Sequence, residues 1–230
     1  MKVIGLIGGM SWESTVEYYR LINESVKQRL GGLHSAKCIL YSVDFAEVEE
    51  LQRLGQWMEA AELLGNAAQQ LERAGANMAL ICTNTMHKVA DAIQARIGIP
   101  LLHIADATAD AVKQAGLHRV GLLGTRFTME DDFYRQRLMD QFHLEVVIPE
   151  AEDRNAVHRV IYEELCVGKI RPESKTHLAA IIHRLVGMGA QGIILGCTEL
   201  GLLLSAEDSP VPVFDTTRVH ALAAVESALK

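Results

Sequence analysis

The feature that most constrains this chain is that it repeats itself. Gly75-Ala76-Asn77-Met78-Ala79-Leu80-Ile81-Cys82-Thr83-Asn84-Thr85 aligns without gaps on Gly189-Ala190-Gln191-Gly192-Ile193-Ile194-Leu195-Gly196-Cys197-Thr198-Glu199, 114 positions further on. Residues 3–9 answer 119–125, with Gly5 on Gly121 and Gly8 on Gly124, 116 positions apart. Pro100-Leu101-Leu102 answers Pro212-Val213-Phe214, 112 positions apart. Landmarks in the same order at nearly equal offsets mean two halves of like design. In this register Cys197 falls on Thr83, not on the neighbouring Cys82.

Each half alternates short apolar runs with longer amphipathic ones. The sequence predicts strands at 3–7, 37–43, 78–82 and 100–104, and again at 119–124, 144–148, 193–195 and 212–214. Helices are expected at 12–30, 56–73, 87–96, 105–115, 130–141, 154–167, 174–188 and 216–229, set off by punctuation such as Ser11, Gly31-Gly32, Gly75, Gly98, Pro100 and Gly116. Strands alternating with helices imply parallel sheets. The expected fold is α/β: two pseudo-symmetric domains, each with a roughly four-stranded parallel sheet flanked by helices. One eight-stranded doubly wound sheet predicts no facing cleft. A single eightfold barrel is disfavoured because the chain is shorter than the typical ~250 residues.

Composition then removes whole classes of function. Hydrophobic content of 49% with 22% charged residues is that of a folded globular protein. A formal net charge of −7 argues against general affinity for nucleic acid or an anionic membrane. No run approaches the ~18 apolar residues of a membrane span. The N-terminal apolar stretch runs into Gly8-Gly9 and lacks a signal-peptide cleavage pattern, so a cytoplasmic protein is expected. Cys38, Cys82, Cys166 and Cys197 form no C-x-x-C pair and no zinc-finger spacing, so no metal site is expected. Cys38 and Cys166 read as inert thiols.

The chemistry gathers where strands end. Ligands of open α/β sheets bind outside the carboxyl ends of the strands. There the chain places Cys197 with Thr198 and Glu199, Thr83 with Asn84 and Thr85, the loop Gly9 to Ser11, and Thr125 with Thr128. Hydroxyls and backbone N–H groups at helix N-termini suit a carboxylate, although each hydroxyl also serves as an N-cap. Pseudo-twofold symmetry would bring Thr83 and Cys197 to opposite sides of one bound molecule. A thiol can act as nucleophile or base when its pKa is lowered. Gly5-Leu6-Ile7-Gly8-Gly9 is not the dinucleotide fingerprint, and no Walker lysine follows. His87, His103 and Asp215 read as packed or capping groups, and Trp12 as packing on its neighbouring helix.

Gly8-Gly9-Met10 after the first strand, Asn84-Thr85-Met86-His87 after the third and Gly196-Cys197-Thr198-Glu199 after the seventh resemble the aspartate/glutamate racemases, over essentially the whole chain. The resemblance implies two α/β domains with the active site between them, no pyridoxal phosphate or metal, a small-molecule amino-acid substrate and a homodimer. It implies a last helix that returns to the first domain, giving domains 1–105 with 216–230, and 106–215. It implies two thiols on opposite faces of the substrate α-carbon, one removing the α-proton and the other supplying one. Carried onto this chain, Cys197 is the base toward the L enantiomer. Met10, Ser11, Asn84, Thr85, Thr125, Thr128, Thr198 and Glu199 become substrate-binding positions, and Gln52, Arg53 and Lys169 stand where the family recognises the side chain.

The first family cysteine is missing: Cys-Asn-Thr reads Thr83-Asn84-Thr85 here. Cys82 is adjacent, but strand side chains alternate, so it should point to the other face. Threonine exchanges hydrogen bonds but is a far poorer acid or base than a thiol, whose ordinary pKa is ~8.5. Three outcomes follow. Cys197 and Thr83 can form an asymmetric racemase pair, Cys197 can be the single thiol of a decarboxylase of the same superfamily, or the cleft can bind an amino acid without catalysis. The local Val43-Asp44-Phe45 departs from the family motif, which opens the substrate range beyond aspartate and glutamate.

Overall fold

The computed structural model describes all 230 residues, Met1–Lys230. Eight strands form two separate parallel sheets. The first holds β1 (Ile4–Gly8), β2 (Cys38–Ser42), β3 (Met78–Ile81) and β4 (Leu101–Leu102), in the order β2-β1-β3-β4. The second holds β5 (Arg119–Gly124), β6 (Glu145–Val147), β7 (Gly192–Gly196) and β8 (Val213–Asp215), in the order β6-β5-β7-β8. The orders match strand for strand, and all pairings are parallel.

The central strands β1, β3, β5 and β7 read as nearly continuous apolar runs because both their faces are covered, as in parallel sheets generally. In the first sheet Ile4, Leu6, Met78 and Leu80 pack against Tyr18, Leu21, Ile22 and Val26 of the helix Trp12–Leu30, and against Ala221, Ala224 and Val225 of the last helix. On the opposite face Ile7, Ala79 and Ile81 meet Leu64, Ala68 and Leu71 of the helix Trp57–Arg73, together with Ile93. Each such Leu or Ile, fully removed from water, contributes roughly 1.5–3 kcal/mol. In the second sheet Val120, Leu122, Ile193, Ile194 and Leu195 are buried, as are Leu178, Ile181, Ile182 and Leu185 of the helix Pro172–Gly187.

The chain divides into two compact units, Met1–Ile104 with His220–Lys230, and Ala105–Val219. The second division falls inside the helix Thr216–Leu229. Its first turn is tied to the second unit, where Thr216 donates to the Leu195 carbonyl (2.7 Å) and the Asp215 carboxylate accepts from the Thr217 N–H (2.9 Å). From Ala221 on, its buried side chains join the first unit's core.

Several elements differ from expectation. The sequence reading placed nothing between β2 and residue 56, yet Phe45–Leu54 is a helix. Asp44 caps it by accepting from the Ala46 N–H (3.0 Å), and Gly55 ends it at φ 69°. Asp44 followed at three residues by Glu47, with Gly55 beyond, was the available signal. The expected helix 87–96 is instead a 3-10 turn, Thr85–Val89, followed by the short helix Ala90–Gln94. The expected helix 154–167 begins earlier, at Ala151, and tightens into a 3-10 turn at Leu165–Val167. β4 shrinks to two residues because Ile104 already opens the next helix. No helix is long and apolar enough to cross a membrane.

Where β5 and β7 end, backbones approach closely. A Cβ added at Gly124 would stand 2.8 Å from the Gly196 carbonyl oxygen and 3.1 Å from Thr128 Cβ. Gly124→Ala should therefore strain both strand ends, at a cost of about 1–3 kcal/mol, and lower Tm by roughly 3–10 °C in a calorimetric scan against wild type. An unchanged Tm would show that the two ends are free to separate.

Candidate active site

In each sheet the chain leaves its first strand toward one edge and returns to pair on that strand's other side. β1 lies beside β3, and β5 beside β7. After β1 the chain enters the helix Trp12–Leu30 on one face; after β3 it enters the Thr85–Val89 turn, whose Met86 and Val89 pack on the other. Neighbouring strands whose connections leave to opposite faces open a crevice at their carboxyl ends, the usual ligand position of such sheets.

In the first unit this place is made by Gly9 to Ser11 and by Thr83 to Thr85. Gly9 has φ 90°, and a Cβ there would stand 2.8 Å from both Ser42 Oγ and the Val43 nitrogen, so the tight exit from β1 requires glycine. The Gly9 N–H donates to Thr15 Oγ1 (3.0 Å), and that hydroxyl donates to the Ser11 carbonyl (2.7 Å). Ser11 caps the following helix. Met10, Ser11, Thr83, Asn84 and Thr85 are all buried. Gln52, also buried, points its amide at Met86 Sδ, 3.0 Å away, and so reaches the turn that follows Thr83. Cys82 is fully buried among Ile4, Leu6 and Tyr18, and burial drives its thiol far above the ordinary range. That side chain belongs to the core beneath the helix Trp12–Leu30.

In the second unit Thr125 and Thr128 follow β5, and Cys197, Thr198 and Glu199 follow β7; all five are buried. The Thr125 and Thr128 hydroxyls lie 3.2 Å apart, and Thr125 Oγ1 also accepts from the Thr128 N–H (3.3 Å). Cys197 Sγ and Thr198 Oγ1 both donate to Glu199 Oε2, each at 3.0 Å. The Thr198 carbonyl in turn accepts from Thr217 Oγ1 (3.3 Å). Burial raises the Cys197 pKa well above the usual thiol value, and the Glu199 charge pushes the same way. In the resting protein the thiol therefore keeps its proton. Cys166 would push the same way only if it were itself ionised. Nothing in the sequence could have linked two residues from different elements in this way.

The charged candidates are at the surface. Arg53 is 61% exposed and lies 3.8 Å from Glu50 on its own helix. Arg126 is exposed and donates to Asn155 Oδ1 (3.0 Å). Lys169 is exposed, following the left-handed Gly168. Asp215 is largely buried, and burial raises its pKa, opposed by the N–H groups of Arg218 and Thr217. It lies against Gly201, where an added Cβ would stand 2.7 Å from Oδ2. No three His, Cys, Asp or Glu side chains gather as a metal site would require.

Both units gather buried hydroxyls at the ends of paired strands, and the second adds a buried thiol and a carboxylate. Comparison with known proteins narrows this. The family model for Asp/Glu/hydantoin racemases matches residues 7–224, and the chain belongs to that family. The chain is 60% identical to a candidate Asp/Glu racemase from Yersinia pestis, whose crystal structure superimposes with a TM-score of 0.93 and full coverage of both chains. It is 37% identical to an aspartate racemase homologue from Pyrococcus horikoshii OT3, with a TM-score of 0.86, again over both whole chains. It is 25% identical over 174 residues to the broad specificity amino-acid racemase RacX of Bacillus subtilis, covering 74% of this chain and 73% of that one.

Removing the carboxylate beside Cys197 should lower the thiol pKa. In Glu199→Gln more thiolate is present at any pH below the wild-type value, so Cys197 should alkylate with iodoacetamide several-fold faster at pH 8. Peptide mass spectrometry resolves Cys197 from the other three cysteines. An equal rate would mean that burial alone sets the thiol, and a slower one that the carboxylate draws the thiol proton off rather than holding it.

Proposed function

We propose that the chain is an amino-acid racemase working without pyridoxal phosphate or metal, on aspartate, glutamate or a broader set of amino acids. Cys197 is the base toward the L enantiomer, and Thr83 addresses the opposite face of the α-carbon. The observation that carries this reading is the Cys197 thiol, 3.0 Å from Glu199 at the end of β7, at the repeat position occupied by Thr83 at the end of β3.

In the proposed cycle the thiol passes its proton to the Glu199 carboxylate, leaving a thiolate and a carboxylic acid. The substrate ammonium favours this step, because a nearby positive charge stabilises the thiolate. The thiolate takes the α-proton, and the electron pair of the broken C–H bond spreads into the substrate carboxylate as an enolate-like species. Hydrogen bonds from Asn84, Thr85, Thr125, Thr128 and Thr198 stabilise that charge. The Thr83 hydroxyl, directly or through water, gives a proton to the far face and recovers one from solvent, and the Glu199 carboxylic acid releases its proton to solvent, which restores the starting state. The reverse cycle runs from D to L. Met10, Ser11 and Gln52 complete the binding surface. The proposal gives Arg53 and Lys169 no role, because their side chains are solvated.

A threonine is a weak acid, so turnover should be slow and limited on the Thr83 side. Enantiomers are equal in free energy, so kcat/KM must be the same in both directions, although kcat and KM can differ.

We also propose a homodimer in the cytoplasm. Trp12 (66% exposed), Val16 (52%) and Tyr19 (56%) on one helix and Leu40 (48%) on the edge strand β2 form an exposed apolar face. The face amounts to several hundred Å² per copy, the apolar centre of an interface that needs about 800 Å² per partner. A second copy of the chain is the occupant proposed. Light scattering should give twice the chain mass for wild type and a single mass for Tyr19→Glu; a monomeric wild type overturns the assembly.

The reaction is tested by following the α-proton of L- and D-aspartate and glutamate in D₂O. Cys197→Ala should lose exchange by about 10²–10⁴-fold. Thr83→Ala should keep exchange from the L enantiomer but lose inversion, and Thr83→Cys should racemise faster than wild type. Arylmalonate decarboxylation without amino-acid exchange would favour the one-thiol decarboxylase, and saturable binding without either reaction a binding protein.

A further inference from the structure

The backbone that carries Thr83 is held by a histidine. His87 is buried in the turn just after Thr83, with Nδ1 2.8 Å from the Thr83 carbonyl oxygen. Its other nitrogen, Nε2, lies 3.2 Å from the Ile104 nitrogen. A backbone N–H can only donate, so Nε2 accepts. The ring is then neutral with its proton on Nδ1, and the Thr83 carbonyl receives it. One imidazole thus ties the end of β3 to the helix that starts after β4.

A second histidine backs the first. His220 Nε2 lies 2.9 Å from the Leu102 carbonyl, which can only accept, so His220 is protonated on Nε2. Its Nδ1 then accepts from the Tyr18 hydroxyl, 2.9 Å away. The His87 ring meets those of His103 and His220 edge-on, with centroids 4.5 and 5.8 Å distant. Both His87 and His220 are buried, so neither ring can turn without leaving a polar atom unsatisfied away from water.

We infer that His87 is a positioning residue for Thr83: its Nδ1–H fixes the Thr83 carbonyl and thereby the direction of the Thr83 hydroxyl. The inference rests on the proposed role of Thr83. A poor proton donor tolerates misplacement badly, so the contact matters more here than it would beside a thiol.

Two substitutions separate the ring's two hydrogen bonds. Asparagine can place an amide N–H where Nδ1 stands but does not reach Ile104. Glutamine can place a carbonyl oxygen where Nε2 stands but offers nothing to Thr83. The measurement is the ratio of racemisation to α-proton exchange on the L enantiomer in D₂O. Exchange without inversion needs only Cys197, so the ratio reports the Thr83 side. His87→Gln should lower the ratio by at least about tenfold. His87→Asn should hold it within about threefold of wild type. Equal ratios in both variants, or a larger loss in His87→Asn, would overturn the inference, since a merely structural role would lower exchange and racemisation together.

A second measurement does not depend on turnover. The ¹⁵N shifts of the His87 ring in wild type should show a protonated Nδ1 and a bare Nε2. The opposite tautomer overturns the inference even if both variants fail to fold. If wild type shows the Nδ1-protonated ring but no Cys197-dependent exchange, the proposed reaction has failed and takes the positioning role of His87 with it, while the contact itself stands.

Discussion

The structure depends on one pairing, made twice: the first strand of each half lies beside the third. β1 pairs with β3, and β5 with β7, because the second strand of each half is laid down on the outer edge first. Chains leaving two adjacent parallel strands toward opposite faces cannot close over the strand ends. This winding order marks the strand ends where open α/β sheets take their ligands. What the sequence supplies is what lines those ends: glycines where backbones must nearly touch, at Gly9, Gly124 and Gly196, then hydroxyls, an amide, a thiol and a carboxylate.

The two units use this shared frame for different chemistry. In the second, burial and the Glu199 charge hold the Cys197 proton in place, so in the proposed reaction the thiol must first give it up. Glu199 is both the obstacle and the acceptor within reach, since it receives hydrogen bonds from the thiol and from Thr198. In the first unit a threonine stands at the equivalent position. Its hydroxyl cannot be tuned as a thiol can, and the protein's means of control is geometry. His87 holds the Thr83 carbonyl and the Ile104 N–H, and His220 holds the Leu102 carbonyl, so the backbone at both strand ends is tied through buried rings.

Much of the fold was legible because it rests on periodicity. Apolar runs four to six residues long, set among helical stretches, announce parallel strands covered on both faces. The repeat register gave the correspondence of Thr83 with Cys197 before any coordinates, and the strand orders β2-β1-β3-β4 and β6-β5-β7-β8 follow the same symmetry. The helix Phe45–Leu54 was passed over although Phe45, Val48, Leu51 and Leu54 recur at helical spacing between the cap Asp44 and the terminating Gly55. The turn at Thr85–Val89 escaped because a 3-10 winding and an α-helix share nearly the same apolar spacing over five residues.

The sequence by itself determined the two-fold design, the strand-end positions of the polar groups and the pairing of Thr83 with Cys197. Each of these is a local pattern or a comparison of one segment with another. Only the tertiary structure decided which charges are solvated, as Arg53 and Lys169 are, and which groups share a buried neighbour. Cys166 bears on Cys197, Gln52 meets Met86, and His87 joins the Thr83 carbonyl to Ile104. Such relations join segments separated along the chain. They arise from packing and from the need to satisfy every buried polar atom, and neither leaves a periodic mark in the sequence.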